Sequence, residues 1–298
     1  MNLIIGSAAG TFSTVLKYLS WMSISDILEN QISLQFHWAN KTDFNGNTFF
    51  NYGRIKKDQL HNDFLSRDNL MNYLFKGQNL KSFSDFDEYI ECYPHECIDV
   101  VKKFPDFLTK YNGGGWNVLQ YSDNKYLPII RNTYNHHWNT FKISNNTQSK
   151  LNEESKLISN KKILTVMVRC SAHYLETDVL MNNLIQDVKN KMNDYDNILL
   201  LTQVQEVFDL FVKTFGNLCI FPERERISGD VDWKGGRGVC MSNEEYFQEV
   251  EECLIDVLLA SQTSHVMSGA SNMFLGTLVI NPEITFDLFE SLKQFNGA

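Results

Sequence analysis

The stretch Ile163-Leu164-Thr165-Val166-Met167-Val168-Arg169-Cys170-Ser171-Ala172-His173-Tyr174 decides how this chain is read. Ile163 to Val168 lacks the polar alternation of a half-exposed strand, so it reads as a strand buried on both faces. Arg169 falls where that strand should run out, with Ser171, His173 and Tyr174 close behind. Open parallel sheets bind ligands beyond the carboxyl ends of their strands. A guanidinium delivered there is either an anion clamp or a surface ion pair that terminates the strand. Cys170 beside it is either a nucleophile or a small packed thiol, and His173 is either a ligand contact or a loop histidine without a task.

Downstream the pattern recurs. Asp178 to Met192 is an amphipathic helix, Asn197 to Leu201 a strand ending in Thr202-Gln203, Val204 to Phe215 a helix, and Leu218 to Phe221 a third strand. Pro222 to Val239 is a loop with Arg224, Arg226, Arg237 and several glycines, either solvated or laid over a nucleotide. Asn243 to Ser261 is a long helix and His265 to Met267 a short strand. Ser268-Gly269-Ala270-Ser271-Asn272 is a turn that opens a helix near Met273, and Val279-Ile280 before Asn281-Pro282 reads as a last strand end. Alternating strands and helices with short connections predict a parallel sheet covered on both faces. The amides at Ser271-Asn272 begin a helix and can hold an anion. Together with one arginine they suffice for a diphosphate.

Upstream, Leu3 to Ile5, the small-residue turn Gly6 to Thr11 and the helix Phe12 to Leu28 open a doubly wound unit, without a full GxGxxG. Ile32 to Trp38 alternates as a second strand and runs into a polar loop that carries Asp43. Residues 55–110 mix short helices and loops without a clear period, and Asn112-Gly113-Gly114-Gly115-Trp116 is a glycine-rich turn. Leu127 to Trp138 leads into the polar segment Ser144 to Lys162, which is the best candidate boundary. Part of that segment is expected to be a surface helix with Leu151 and Leu157 on one side. Residues 1–155 and 156–298 are therefore expected to be two domains.

The bulk properties fit this division. The chain has 298 residues, 43% hydrophobic and 21% charged, with a net charge of −9. No Lys/Arg cluster offers a face to a phosphate backbone, so no nucleic-acid partner is expected. No apolar run reaches the ~18 residues of a membrane span. Leu3-Ile4-Ile5 lacks a basic n-region and reads as a strand, not a signal peptide. The six cysteines form no CxxC pair and fit no zinc template. A soluble, reduced, cytoplasmic setting is the expectation (the host's cytoplasm, if the chain is viral). The sequons at Asn40 and Asn145 are expected by chance in so asparagine-rich a chain.

The order VMVRC…HY, then ILLLTQ…FG, then Glu249-Val250…Leu254-Ile255-Asp256-Val257-Leu258-Leu259-Ala260-Ser261, then Ser271-Asn272 resembles the donor half of fucosyltransferase-like glycosyltransferases. These include the α1,6-, α1,2- and protein-O-fucosyltransferases and their microbial and viral relatives. The resemblance runs over about residues 125–282, starting at Leu127-Pro128-Ile129-Ile130-Arg131-Asn132-Thr133-Tyr134-Asn135. It implies a GT-B fold of two Rossmann-like, doubly wound domains facing a cleft, the acceptor on the first and the nucleotide-sugar on the second. It further implies inverting transfer to a glycan or glycoconjugate hydroxyl, without a catalytic metal and with no cofactor beyond the donor. Arg169 matches the family's phosphate-binding arginine, and Ser271 and Asn272 match its second phosphate contact. Ser171, His173, Tyr174, Thr202 and Arg224 stand where the rest of the donor would be held.

Two departures bear on the donor. Arg169 to Tyr174 is one residue longer than the usual RGTDY and lacks its aspartate, and Gln203 stands where an acid is usual. The donor is then GDP-fucose or a switched one such as UDP-xylose. An inverting transfer needs a base from the first domain, for which Asp43 is the first candidate and His37 the second. Trp38, Trp116 and Trp138 either stack on sugar rings or fill the core. The competing reading is a non-catalytic nucleotide- or sugar-binding module that kept the fold.

Overall fold

A computed structural model describes residues 2–7, 11–27, 33–38, 54–56, 71–76, 88–90, 127–168, 178–226, 243–269 and 271–289. In chain order the first half carries β1 (Asn2–Ser7), α1 (Thr11–Ile27), β2 (Ser33–Trp38), β3 (Arg54–Lys56), α2 (Met71–Leu74), β4 (Phe75–Lys76), β5 (Glu88–Ile90), α3 (Leu127–Trp138), β6 (Lys142–Ile143) and α4 (Asn145–Glu154). The sheet order is β2-β1-β5-β3. β1 runs parallel to β2 and β5, and β3 closes the edge antiparallel to β5. Strands as short as β3 and β5 show no period in the sequence, which is why the aperiodic region 55–110 concealed them.

The second half carries β7 (Ile163–Val168), α5 (Asp178–Met192), β8 (Asn197–Thr202), α6 (Gln205–Phe215), β9 (Cys219–Ile220), α7 (Asn243–Ser261), β10 (His265–Ser268), α8 (Asn272–Ile280) and β11 (Thr285–Leu288). Its sheet is parallel throughout, in the order β11-β10-β7-β8-β9. The chain starts in the middle at β7, winds out to β9, and is returned by α7 to the other side of β7. The strand order therefore reverses between β7 and β10, and a crevice opens at such a switch point.

One expected element differs. Val279-Ile280 is the last turn of α8, not a strand end, and the final strand is β11, beyond Pro282. From Met273 to Val279 every residue of α8 is buried. A helix covered on all sides has no polar stripe, so its run of apolar residues looks like that of a buried strand.

Part of the polar segment is the expected helix, α4, capped by Ser144, whose hydroxyl accepts from the Thr147 amide at 3.2 Å. Its Thr147 hydroxyl donates to Glu251 of α7 at 2.7 Å, Asn146 donates to the same oxygen at 3.2 Å, and Lys150 pairs with the second carboxylate oxygen. One face of α4 is thus docked on α7 rather than solvated.

The two faces of the second sheet bury different partners. Leu164, Val166, Val168, Ile198 and Leu200 pack with α5 and α6 through Leu184, Val188, Val207 and Phe211. Ile163, Met167, Leu199 and Leu201 belong to a larger core that takes in α7, α8, α3 and α1, so that face is continuous with the first half. The alternation follows from the two-residue period of a strand.

Candidate active site

The carboxyl ends of three neighbouring strands meet at one rim. Met167 of β7 lies opposite Ser268 of β10, and Val168 lies opposite Thr202 of β8. The buried Ser268 hydroxyl sits 3.0 Å from the Met167 carbonyl and 2.9 Å from that of Gly269, which ties the two strand tips together. The Thr202 hydroxyl accepts from the Val204 amide at 3.2 Å and so shapes the turn into α6. Gln203, next along, donates to Glu249 of α7 at 3.4 Å.

After Ser268 the chain turns into α8. Ser271 is its N-cap, in extended conformation, and its hydroxyl accepts from the Phe274 amide at 3.1 Å. A helix start leaves its first-turn amides outside the intrahelical ladder and carries partial positive charge. The Ser271-Asn272 turn thus follows directly on the strand tip that lies beside the end of β7. Arg169, Ser171, His173 and Tyr174, which follow β7 directly, lie outside the described residues, as does Asp43. His37 is the penultimate residue of β2, opposite Gly6 of β1, at the carboxyl edge of the first sheet.

Arg224, expected as a donor contact, is engaged by two carboxylates. Its guanidinium donates to Glu154 through Nη1 (2.8 Å) and Nη2 (2.5 Å) and to Asp256 through Nε (3.1 Å) and Nη2 (2.8 Å). A further Nη1 bond reaches the Glu223 carbonyl at 2.9 Å. Every N–H of the fork has a protein acceptor, so a phosphate would have to displace a carboxylate. Burial works against the charge, yet Glu154 and Asp256 hold this guanidinium above its ordinary pKa. Burial pushes the Asp256 carboxyl up to about 6, against the pull of Arg224. Arg226 is packed too, with its guanidinium carbon 3.7 Å from the centre of the Phe208 ring. Neither arginine is the solvated side chain that a loop reading allows.

No protein-family model and no curated protein matches the chain. Solved structures do match. The fucosyltransferase NodZ from Bradyrhizobium superposes with a TM-score of 0.57 at 12% identity, over 94% of this chain and 93% of that one. NodZ α-1,6-fucosyltransferase soaked with GDP-fucose gives a TM-score of 0.54 at 14% identity, over 96% and 94%. The same enzyme co-crystallised with GDP gives 0.55 at 12%, over 96% and 94%.

The chain has a fucosyltransferase-like GT-B fold.

Within this fucosyltransferase-like fold the remaining candidates separate clearly. Trp138 is a core residue, buried against Phe75 and Phe141 at ring-centre distances of 6.0 Å each. The Trp38 side chain and Trp116 lie outside what is described. Among the described residues no cluster of three or more His, Cys, Asp or Glu could hold a metal ion. No described helix is long and apolar enough to cross a membrane. Sequence reasoning missed Glu249 as the partner of Gln203. It also missed the side chains that hold the far end of α8. Both are contacts between distant parts of the chain, for which local sequence carries no signal.

Proposed function

We propose that this chain is an inverting glycosyltransferase that binds a nucleoside-diphosphate sugar at the carboxyl rim of β8, β7 and β10. One observation carries the reading. The strand tip that leads into Arg169 and the turn that starts α8 stand side by side, in register at Met167 and Ser268. A guanidinium and a helix start converging on one spot suit a diphosphate. Structures of the same fold were obtained with GDP-fucose and with GDP, which supports a nucleotide-sugar as the ligand class.

The chemistry follows from that placement. A base on the first domain, Asp43 or else His37, takes the proton of an acceptor hydroxyl. The hydroxyl oxygen forms its bond to the anomeric carbon as the bond from that carbon to the phosphate oxygen breaks. The electron pair leaves with the diphosphate. Arg169 and the amides at Ser271-Asn272 stabilise the charge that develops there, more strongly than they stabilise the ground state. The acceptor is a glycan or glycoconjugate, and no metal is needed if these groups carry the leaving charge. The donor is GDP-fucose or a switched donor such as UDP-xylose, since Gln203 and the segment after Arg169 depart from the family pattern where base and sugar would bind.

Turnover tests the reading. Purified protein is incubated with a panel of GDP- and UDP-sugars, and release of nucleoside diphosphate is followed with and without oligosaccharide acceptors. Hydrolysis or transfer with one donor, lost in Arg169→Ala, is the expected result. Binding without turnover across the panel would leave a non-catalytic nucleotide-binding module.

A further inference from the structure

We infer that Arg131, assisted by Asn135, is a positioning residue for the donor rim: it grips α8 at its carboxyl end and so sets where the Ser271 turn stands. The inference rests on the donor-site reading above and goes beyond it by assigning a residue remote from the rim.

The last carbonyls of a helix have no intrahelical donors. Many helices meet this need locally, with a glycine in left-handed conformation. α8 has no such glycine. Its C-cap, Asn281, is extended (φ −121°), and its amide bonds back to Thr277 at 3.0 Å. The remaining carbonyls are taken by side chains of α3, far away in sequence. Arg131 Nε donates to Leu278 O at 3.2 Å, and its Nη2 donates to Asn281 O at 3.3 Å and Ile284 O at 2.9 Å. Asn135 Nδ2 donates to Val279 O at 2.9 Å and Ile280 O at 3.0 Å. One planar fork thus spans the end of α8, the turn after it and the approach to β11. A cation at this end also complements the helix dipole.

The grip acts along a rigid rod. α8 is buried from Met273 to Val279, and its Gly276 is covered by the Phe12 ring of α1. At about 1.5 Å rise per residue, its nine residues carry a displacement at one end to the other with little loss. Hydrogen bonds to a phosphate keep their strength only over a few tenths of an ångström. Loss of the fork should therefore weaken a ligand's diphosphate contacts while leaving its base and ribose contacts alone.

Isothermal titration with GDP, GMP, UDP and UMP tests this on the full chain. The proteins compared are wild type, Arg131→Ala, Arg131→Lys, Asn135→Ala and, as a stability control at the contact between α4 and α7, Glu251→Gln. Each is used at a temperature where its near-UV circular dichroism shows it folded. For the diphosphate that wild type binds, Arg131→Ala is expected to weaken affinity on the order of tenfold, a typical coupling between separated sites. Arg131→Lys, which keeps the charge but not the fork, should fall between, and the matching monophosphate should change about twofold or less by the same reasoning. Hydrogen exchange at Asn272 to Phe274 should quicken in the same variants. If Arg131→Ala does not fold, Arg131→Lys and Asn135→Ala carry the comparison. Diphosphate affinity equal to that of Glu251→Gln, despite a lowered melting point, overturns the positioning role alone. If wild type binds neither GDP nor UDP, the donor-site reading itself fails and the inference falls with it.

Discussion

Phe12 of α1 stands where a side chain on Gly276 of α8 would be. A Cβ at 276 would lie 2.2 Å from Phe12 Cδ1 and 2.5 Å from Cε1. The buried ring of one half of the chain thus fits against a helix of the other half only because position 276 has no side chain.

Gly276→Ala should therefore destabilise the protein, although alanine is the better helix former. Overpacking of this kind costs about 1–3 kcal/mol, and Phe12→Ala alone about 3–5 kcal/mol. The two substitutions should be strongly non-additive, because the second methyl group enters space that the first has vacated. Urea denaturation of the four proteins of this cycle gives the coupling. Additive losses would show that Phe12 and Gly276 do not press on each other.

Arg224 should behave as a structural cation. Arg224→Ala leaves Glu154 and Asp256 facing each other, partly buried and uncompensated, for a loss of about 3–5 kcal/mol. Nucleotide affinity, measured below the melting point, should be unchanged within about twofold, since the fork already has protein acceptors on every N–H. A selective loss of nucleotide affinity without loss of stability would return Arg224 to the donor site.

The raised Asp256 pKa makes a signed prediction. The folded carboxyl titrates at about 6 against an ordinary 3.8, so folding favours its protonated form. Its contribution to stability is present in full below pH 3.8 and is lost as the pH rises through about 6. The stability of wild type relative to Asp256→Asn should then fall across that window by something on the order of 2 kcal/mol. Denaturation midpoints of both proteins from pH 4 to 7 measure it. A difference that grows with pH would mean that the Arg224 pairing outweighs burial.

The base assignment predicts a split between chemistry and binding. Asp43→Ala should lower kcat by about 10²–10⁴ and leave donor affinity unchanged, since the base acts on the acceptor hydroxyl. Steady-state kinetics with titration of the donor separates the two. If His37→Ala shows that split instead, the base is on β2.

Much of the architecture was legible. β7, β8, α5, α6 and α7 announce themselves through long, consistent patterns. The rim could be located because a strand end with Arg169 and a helix start at Ser271 are local features. What escaped depends on partners far off in the chain. Arg224 looks like a loop arginine until Glu154 and Asp256 arrive from helices 70 and 32 residues away. Arg131 and Asn135 show no partner in the sequence, because α8 ends against them from about 145 residues away. The start of α8 was legible, but its last turn reads as a strand end and β11 beyond it went unread, because a helix buried on every side lacks the periodicity that would mark where it stops.

The central claim is that a diphosphate is held where β7 and β10 part. Hydrogen exchange read by mass spectrometry, with and without saturating GDP or UDP, tests it directly. Slowed exchange in peptides covering Asn272 to Phe274 and the segment just after Val168, with α5 and β11 unaffected, is the predicted result. Protection elsewhere, or none at this rim with a nucleotide that demonstrably binds, would contradict it.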